Sequence, residues 1–164
     1  MSKYIGLDQA LQTTGWAVYD DNTPLDFGHF TIPAHEHVGQ RLGQFWKELN
    51  SLYEHYEFEY LFYEDIQRQQ NVETYKKLAY VQAAILLWCF FNDVKCTALS
   101  PSQWRHVLKE KFGVSFGKVR AEQKAAAKSF VKNKFHIEAS EDECDAICLT
   151  LAGIQEKKKK TSAF

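Results

Sequence analysis

Four carboxylates stand where carboxylates are costly to keep. Asp8 closes the run Tyr4-Ile5-Gly6-Leu7, and Glu64 closes Tyr60-Leu61-Phe62-Tyr63, each an apolar segment of strand type. Acids are depleted from strands because burying their charge is unfavourable. Either one alone has a plain alternative role, capping the turn that follows. The third cluster is more specific. In Ser140-Glu141-Asp142-Glu143-Cys144-Asp145, Ser140 and Glu143 form the Ser-x-x-Glu signature of a helix start. The positive end of the helix dipole accounts for Glu141 and Glu143. It accounts poorly for Asp145, which lies deeper, between Cys144 and Ala146-Ile147-Cys148-Leu149. Asp142 and Asp145 share one side of the helix, at the border of the apolar stripe Cys144, Ile147, Cys148 and Leu151. Two such aspartates need a partner, and a divalent cation is the natural one. Oxygen donors from three segments suit Mg²⁺ or Mn²⁺ better than zinc, which prefers nitrogen and sulfur.

The elements that must position these acids are legible from periodicity. Residues 3–8, 14–21 and 25–32 read as strands, with the turn signal Asp21-Asn22-Thr23-Pro24 between the second and third. Alternation puts Tyr4, Gly6 and Asp8 on one face, and Gly6 leaves room for close approach. Val38, Leu42, Phe45, Leu49 and Leu52 have helical spacing over 38–56. A strand at 60–64, a helix at 72–91 and a strand at 94–99 follow. Ser100-Pro101 opens another helix, Gly113 to Gly117 form a loop, and helices at 119–134 and 141–156 finish the pattern. The order β-β-β-α-β-α-β-α-α-α implies an α/β domain, a mixed five-stranded sheet flanked by helices, over 1–156. Residues 157–164 read as a basic, frayed tail. His35-Glu36-His37, beside a proline and a helix start, reads as a polar loop rather than a metal site.

At 164 residues, 45% hydrophobic and 25% charged, the chain is an ordinary globular composition, which excludes disorder, collagen and a disulfide-stapled miniprotein. The apolar run from Ala83 to Phe91 is too short for a bilayer crossing of about 20 residues. The four cysteines form no Cys-x-x-Cys pair and read as reduced thiols, so a soluble, cytoplasmic protein is expected. The net charge of −1 conceals a sharp split. Between residues 103 and 134, Arg105, Lys109, Lys111, Lys118, Arg120, Lys124, Lys128, Lys132 and Lys134 face only Glu110 and Glu122. Lys124, Lys128 and Lys132 recur every four residues as one stripe, suited to phosphate contacts or to a solvated helix face. Phe112 and Phe116 flank the glycine loop and are candidates for stacking on bases.

The run Ile5-Gly6-Leu7-Asp8 followed by Thr14-Gly15-Trp16, then Glu64, then Asp142-Glu143-Cys144-Asp145-Ala146, resembles the RuvC-type Holliday-junction resolvases. It looks most like the versions encoded by phages of Gram-positive bacteria. The resemblance covers residues 3–155 and implies a ribonuclease H-like fold, a homodimer and metal-dependent cleavage of four-way and other branched DNA. It implies Asp8, Glu64, Asp142 and Asp145 as ligands of two Mg²⁺ ions, with Mn²⁺ as a substitute. It makes Lys124, and Lys118 second, the candidate for a lysine near the scissile phosphate. Candidate DNA contacts are Arg68, Arg105, Lys109, Lys118, Arg120, Lys124, Lys128 and Lys132. The family's long helix helps build its dimer, and Tyr75, Leu78, Gln82, Ile85 and Leu86 form the matching stripe here, although an intramolecular core gives the same pattern. Two departures stand out: Asp8-Gln9-Ala10 where Asp-Pro-Gly is common, and Gln67 where an aromatic wedge is often found. Two rival readings are a non-catalytic junction-binding protein and an actin-like or sugar-kinase-like phosphotransferase. The first does not need four carboxylates facing phosphate; the second needs a second phosphate loop and a longer chain.

Overall fold

A computed structural model describes residues 2–34 and 37–162. Its elements follow the order read from the sequence: β1 (Lys3–Asp8), β2 (Thr13–Asp20), β3 (Thr23–Thr31), α1 (Val38–Tyr56), β4 (Tyr60–Glu64), α2 (Val72–Phe91), β5 (Lys95–Leu99), α3 (Pro101–Phe112), α4 (Arg120–Phe135) and α5 (Glu141–Ser162). The five strands make one mixed sheet in the order β3-β2-β1-β4-β5. The first three pair antiparallel, whereas β1, β4 and β5 run parallel. This brings the carboxyl ends of β1 and β4, and with them Asp8 and Glu64, side by side.

Alternation along each strand feeds two cores. On one face Tyr4, Ala17, Tyr19 and Phe62 pack under α5, with Trp104 and Leu108 of α3 and Ala127 and Val131 of α4. On the other, Ile5, Leu7, Val18, Leu61 and Tyr63 pack against Phe45 and Leu49 of α1 and Val81, Ile85 and Trp88 of α2. Ser100, read from the sequence as the cap of α3, closes it reciprocally with Gln103, and at the start of α1 His37, read only as loop, caps the helix with Gln40. His35 and Glu36 lie outside the described residues.

Two expectations change. The last helix does not end near 156; α5 continues to Ser162, so the four lysines 157–160 lie on helix rather than in a frayed tail. The Lys157 ammonium sits 5.8 and 5.4 Å from the rings of Tyr4 and Tyr60, and basic side chains suit the negative end of a helix. Residues 163–164 lie outside the described residues. The expected α2 stripe is split as well. Ile85 is buried, Leu78 and Gln82 are half-buried, and Tyr75 and Leu86 are exposed. The exposed apolar residues of α2 keep Tyr75 and Leu86 from that stripe and add Val72, Tyr80, Leu87, Phe90 and Phe91, the last two 78% and 70% exposed. Among the described residues no helix is long and apolar enough to cross a membrane.

Candidate active site

Two glycines let α5 lie directly on the sheet. A Cβ on Gly6 would fall 1.8 Å from Thr150 Oγ1, and one on Gly15 would fall 2.2 Å from the Asp142 carbonyl oxygen. Gly15 is the β2 residue opposite Asp8, so this approach carries the first turn of α5 toward the end of β1. Thr14 is fully buried; its hydroxyl donates to the Ala10 carbonyl at 3.0 Å and accepts from the Ala10 N–H at 3.2 Å. Thr14-Gly15 therefore has two separate uses: threonine ties down the turn after Asp8, and glycine admits the helix. The start of α5 is fixed by the capping box, with the Glu143 N–H donating to Ser140 Oγ at 3.3 Å and the Ser140 N–H to Glu143 Oε1 at 2.9 Å. Glu143 also meets His29 of β3 at 3.0 Å.

Around this junction Asp8, Glu64 and Asp145 come together, with Asp142 beside them. Asp145 is only 6% exposed, and Asp8 and Glu64 are half-buried. Burial pushes the Asp8 carboxyl well above the ordinary carboxylate range, and repulsion from Glu64, Asp145 and Asp142 pushes it further; Lys124 opposes both. Burial likewise raises Glu64, against a hydrogen bond from the Trp104 indole N–H to Glu64 Oε2 at 3.2 Å. Burial raises Asp145 too, against its bond from Lys124. The Lys124 ammonium, from the first turns of α4, donates to Asp145 Oδ2. Burial lowers the affinity of this lysine for its proton, but the bond to Asp145 and the fields of Asp145 and Asp8 outweigh that, and the net shift is upward.

The donors fit a hard divalent ion in type: they are all carboxylate oxygens, crowded enough to repel one another, with one lysine as internal counter-charge. Among the described residues no three His, Cys, Asp or Glu side chains already converge on a single point. Asp145 directs one oxygen to Lys124 instead.

Of the basic residues, Lys124 and Arg105 reach the acids. Arg105 acts electrostatically on both Glu64 and Asp145; its guanidinium carbon lies 5.1 Å from the Trp104 ring centroid, and its buried Nε has no hydrogen-bond partner. Arg68, Lys109, Lys118, Arg120, Lys128 and Lys132 are exposed; Arg120 acts electrostatically on Lys124, and Lys132 pairs with Glu138 at 3.0 Å. Phe112 and Phe116 both pack within the fold, and only Phe112 keeps partial exposure. Phe116 is 7% exposed and meets Trp104 edge-on, while Phe112 packs on Phe130 with Lys134 over its ring. Two residues at the site escape sequence reasoning, Trp104 and Gln9. A polar residue next to Asp8 at the end of an apolar strand is the only advance signal for Gln9; Trp104 gives none, since a helical tryptophan reads as core.

No family model matches the chain. The crossover junction endodeoxyribonuclease RuvC of Thermomicrobium roseum is 24% identical over 156 residues, 93% of each chain. The structure of T. thermophilus RuvC in complex with Holliday junction substrate superposes with a TM-score of 0.75 at 15% identity, over 95% of this chain and 96% of that one. The yeast mitochondrial Holliday junction resolvase Ydc2 superposes with a TM-score of 0.68 at 11% identity, over 98% of this chain and 81% of that one. In sequence and in fold, over more than nine-tenths of its length, the chain is similar to the RuvC-type resolvases, and it has their ribonuclease H-like architecture.

Proposed function

We propose that the protein is a metal-dependent endodeoxyribonuclease that resolves four-way DNA junctions by paired phosphodiester hydrolysis, acting in the cytoplasm, that of a bacterial host if it is phage-encoded. The observation that carries this reading is the meeting of Asp8, Glu64 and Asp145, beside Asp142, with Lys124 at the carboxyl ends of two parallel strands. Asp8, Glu64, Asp142 and Asp145 would hold two Mg²⁺ ions, with Mn²⁺ able to substitute. Ions held there would supply an activated water and offset charge on the leaving oxygen. The chain's own residues orient the reaction. Trp104 donates to the Glu64 carboxylate, which orients it and favours its ionised form against burial, and Lys124 is placed to offset charge that grows on the phosphate. Arg68, Arg105, Lys109, Lys118, Arg120, Lys128 and Lys132 would take flanking phosphates. A protein that merely bound junctions would gain nothing from burying carboxylates against phosphate.

The test is cleavage of a synthetic four-way junction, first in EDTA and then with Mg²⁺. We expect paired nicks only with Mg²⁺, and none from Asp8→Asn, which still binds the junction. Normal cleavage by that variant would remove Asp8 from the assignment. The outward apolar face of α2 supports a homodimer, which would deliver two such sites to one junction. Phe90→Glu with Leu87→Glu should then give a monomer in sedimentation.

A further inference from the structure

The backbone ladder between β1 and β4 runs from Tyr4↔Tyr60 to Leu7↔Tyr63 and stops one position short of the acids. On its other side β4 stays tied: Glu64 pairs with Leu99, and the Asp65 N–H donates to the Leu99 carbonyl at 2.9 Å. Toward β1, therefore, two mutually repelling carboxylates sit where the strands have lost their backbone pairing. Gln9 fills that position. Its side chain is 7% exposed, its Nε2 donates to the Glu64 carbonyl at 2.5 Å, and its Oε1 accepts from the Glu64 N–H at 3.0 Å. One side-chain amide thus supplies both halves of the missing rung, as a peptide unit of a neighbouring strand would. The turn that carries it is itself fixed, by Thr14 on Ala10 and by Arg41 Nη2 donating to the Leu11 carbonyl at 3.0 Å.

We propose that Gln9 is a positioning residue: its amide holds the end of β1 against Glu64, fixes the separation of Asp8 from Glu64, and so sets the affinity of the acid cluster for a divalent cation. Partners that orient metal ligands in this way typically contribute about 10–100-fold in affinity. The inference rests on the nuclease reading above.

The experiment uses the full chain with Gln9→Met, which keeps the volume and loses both hydrogen bonds, and Gln9→Asn, whose amide is one methylene too short. Mn²⁺ binding is measured by calorimetry without DNA, and single-turnover junction cleavage is measured against Mg²⁺ concentration. We expect Mn²⁺ affinity to fall about tenfold or more. The Mg²⁺ needed for half-maximal cleavage should rise in step, the rate should recover at saturating Mg²⁺, and junction affinity in EDTA should be unchanged. A purely structural role would lower the melting temperature without this recovery. Mn²⁺ affinity within twofold of wild type in whichever variant remains folded overturns the proposal, as does a rate that saturating Mg²⁺ does not restore. A wild-type chain that neither binds Mn²⁺ nor cleaves would overturn the nuclease reading itself. Wild-type binding and cleavage matched by the variants would overturn only the role of Gln9.

Discussion

Replacing Gly15 with alanine tests whether the contact between β2 and α5 aligns the site. The added Cβ would lie 2.2 Å from the Asp142 carbonyl oxygen and 2.5 Å from its carbon, where real contacts do not fall below 3.0 Å. Backbone stands on both sides, so no side chain can swing away. The first turn of α5 must then retreat by about 0.8 Å to reach that limit, the difference between 3.0 and 2.2 Å. Asp142 and Asp145 both ride on that turn, whereas Asp8 and Glu64 stay with the sheet. Overpacking of this kind costs about 1–3 kcal/mol, which a domain of this size survives. A misplacement near 1 Å can cost about a hundredfold in rate. Gly15→Ala should therefore lower single-turnover cleavage of a four-way junction by about two orders of magnitude, while junction binding in EDTA stays near wild type. Gly43→Ala is the matched control: nothing lies within 4 Å of its Cβ, and alanine in α1 should stabilise by about 0.5–1 kcal/mol. A Gly15→Ala protein that cleaves at the wild-type rate would refute the alignment argument.

Lys124→Ala should leave a low rate even at saturating enzyme, because its ammonium lies among the acids; full recovery there would make it only a phosphate anchor. Lys128→Ala should instead weaken junction affinity, lower the salt slope by roughly one unit, and recover full rate at saturation. The Lys132 variant should lose less, since its ammonium is already shared with Glu138. Trp104→Phe removes the donor to the Glu64 carboxylate, a charged hydrogen bond worth about 1.5–3 kcal/mol. The acid limb of its pH–rate profile should move to higher pH, and an unmoved limb would show the bond to be idle. Asp8→Asn should raise the melting temperature in EDTA at neutral pH. A carboxyl whose folded pKa is raised stabilises the fold while protonated, below its unfolded value of about 3.9, and that stability is lost as pH rises through the folded pKa. The gain should vanish near pH 4, at about 2–4 °C per kcal/mol.

Much of this architecture is written locally. Strand alternation at Tyr4, Gly6 and Asp8, the apolar spacing of α1, and the capping residues Ser100 and Ser140 each act within a few positions, so the sequence displays them directly. Three of the acids are legible for a different reason: Asp8 and Glu64 break the preference of their strands, and Asp145 lies beyond the helix start that would favour it. What escapes is whatever depends on distant segments meeting. Gln9 reaches Glu64 across 55 positions and Trp104 reaches it across 40, and neither partner announces the other. Arg105 reads as one more member of a basic run, yet α3 turns it inward beside the acids while its neighbours face solvent. The length of α5 is hidden because a lysine run reads as solvated tail, whereas in the fold the helix continues and Lys157 lies over Tyr4 and Tyr60.

The acid cluster sets local stability against chemistry, and the fold resolves the conflict by position. Carboxylates that repel one another are unfavourable anywhere in a core, but here they sit at the rim, where the β1–β4 ladder ends and α5 begins. The two apolar cores lie behind them and do not depend on the charged side chains. Glu64 and Asp142 are restrained by groups that do not neutralise them outright: Gln9 holds the Glu64 backbone, Trp104 its carboxylate, and Gly15 the approach of Asp142. Lys124 is the exception, a cation that binds Asp145 directly. A cluster restrained in place but left short of positive charge retains its attraction for a divalent ion, and the same shortage should make the ion-free protein less stable than a variant such as Asp8→Asn.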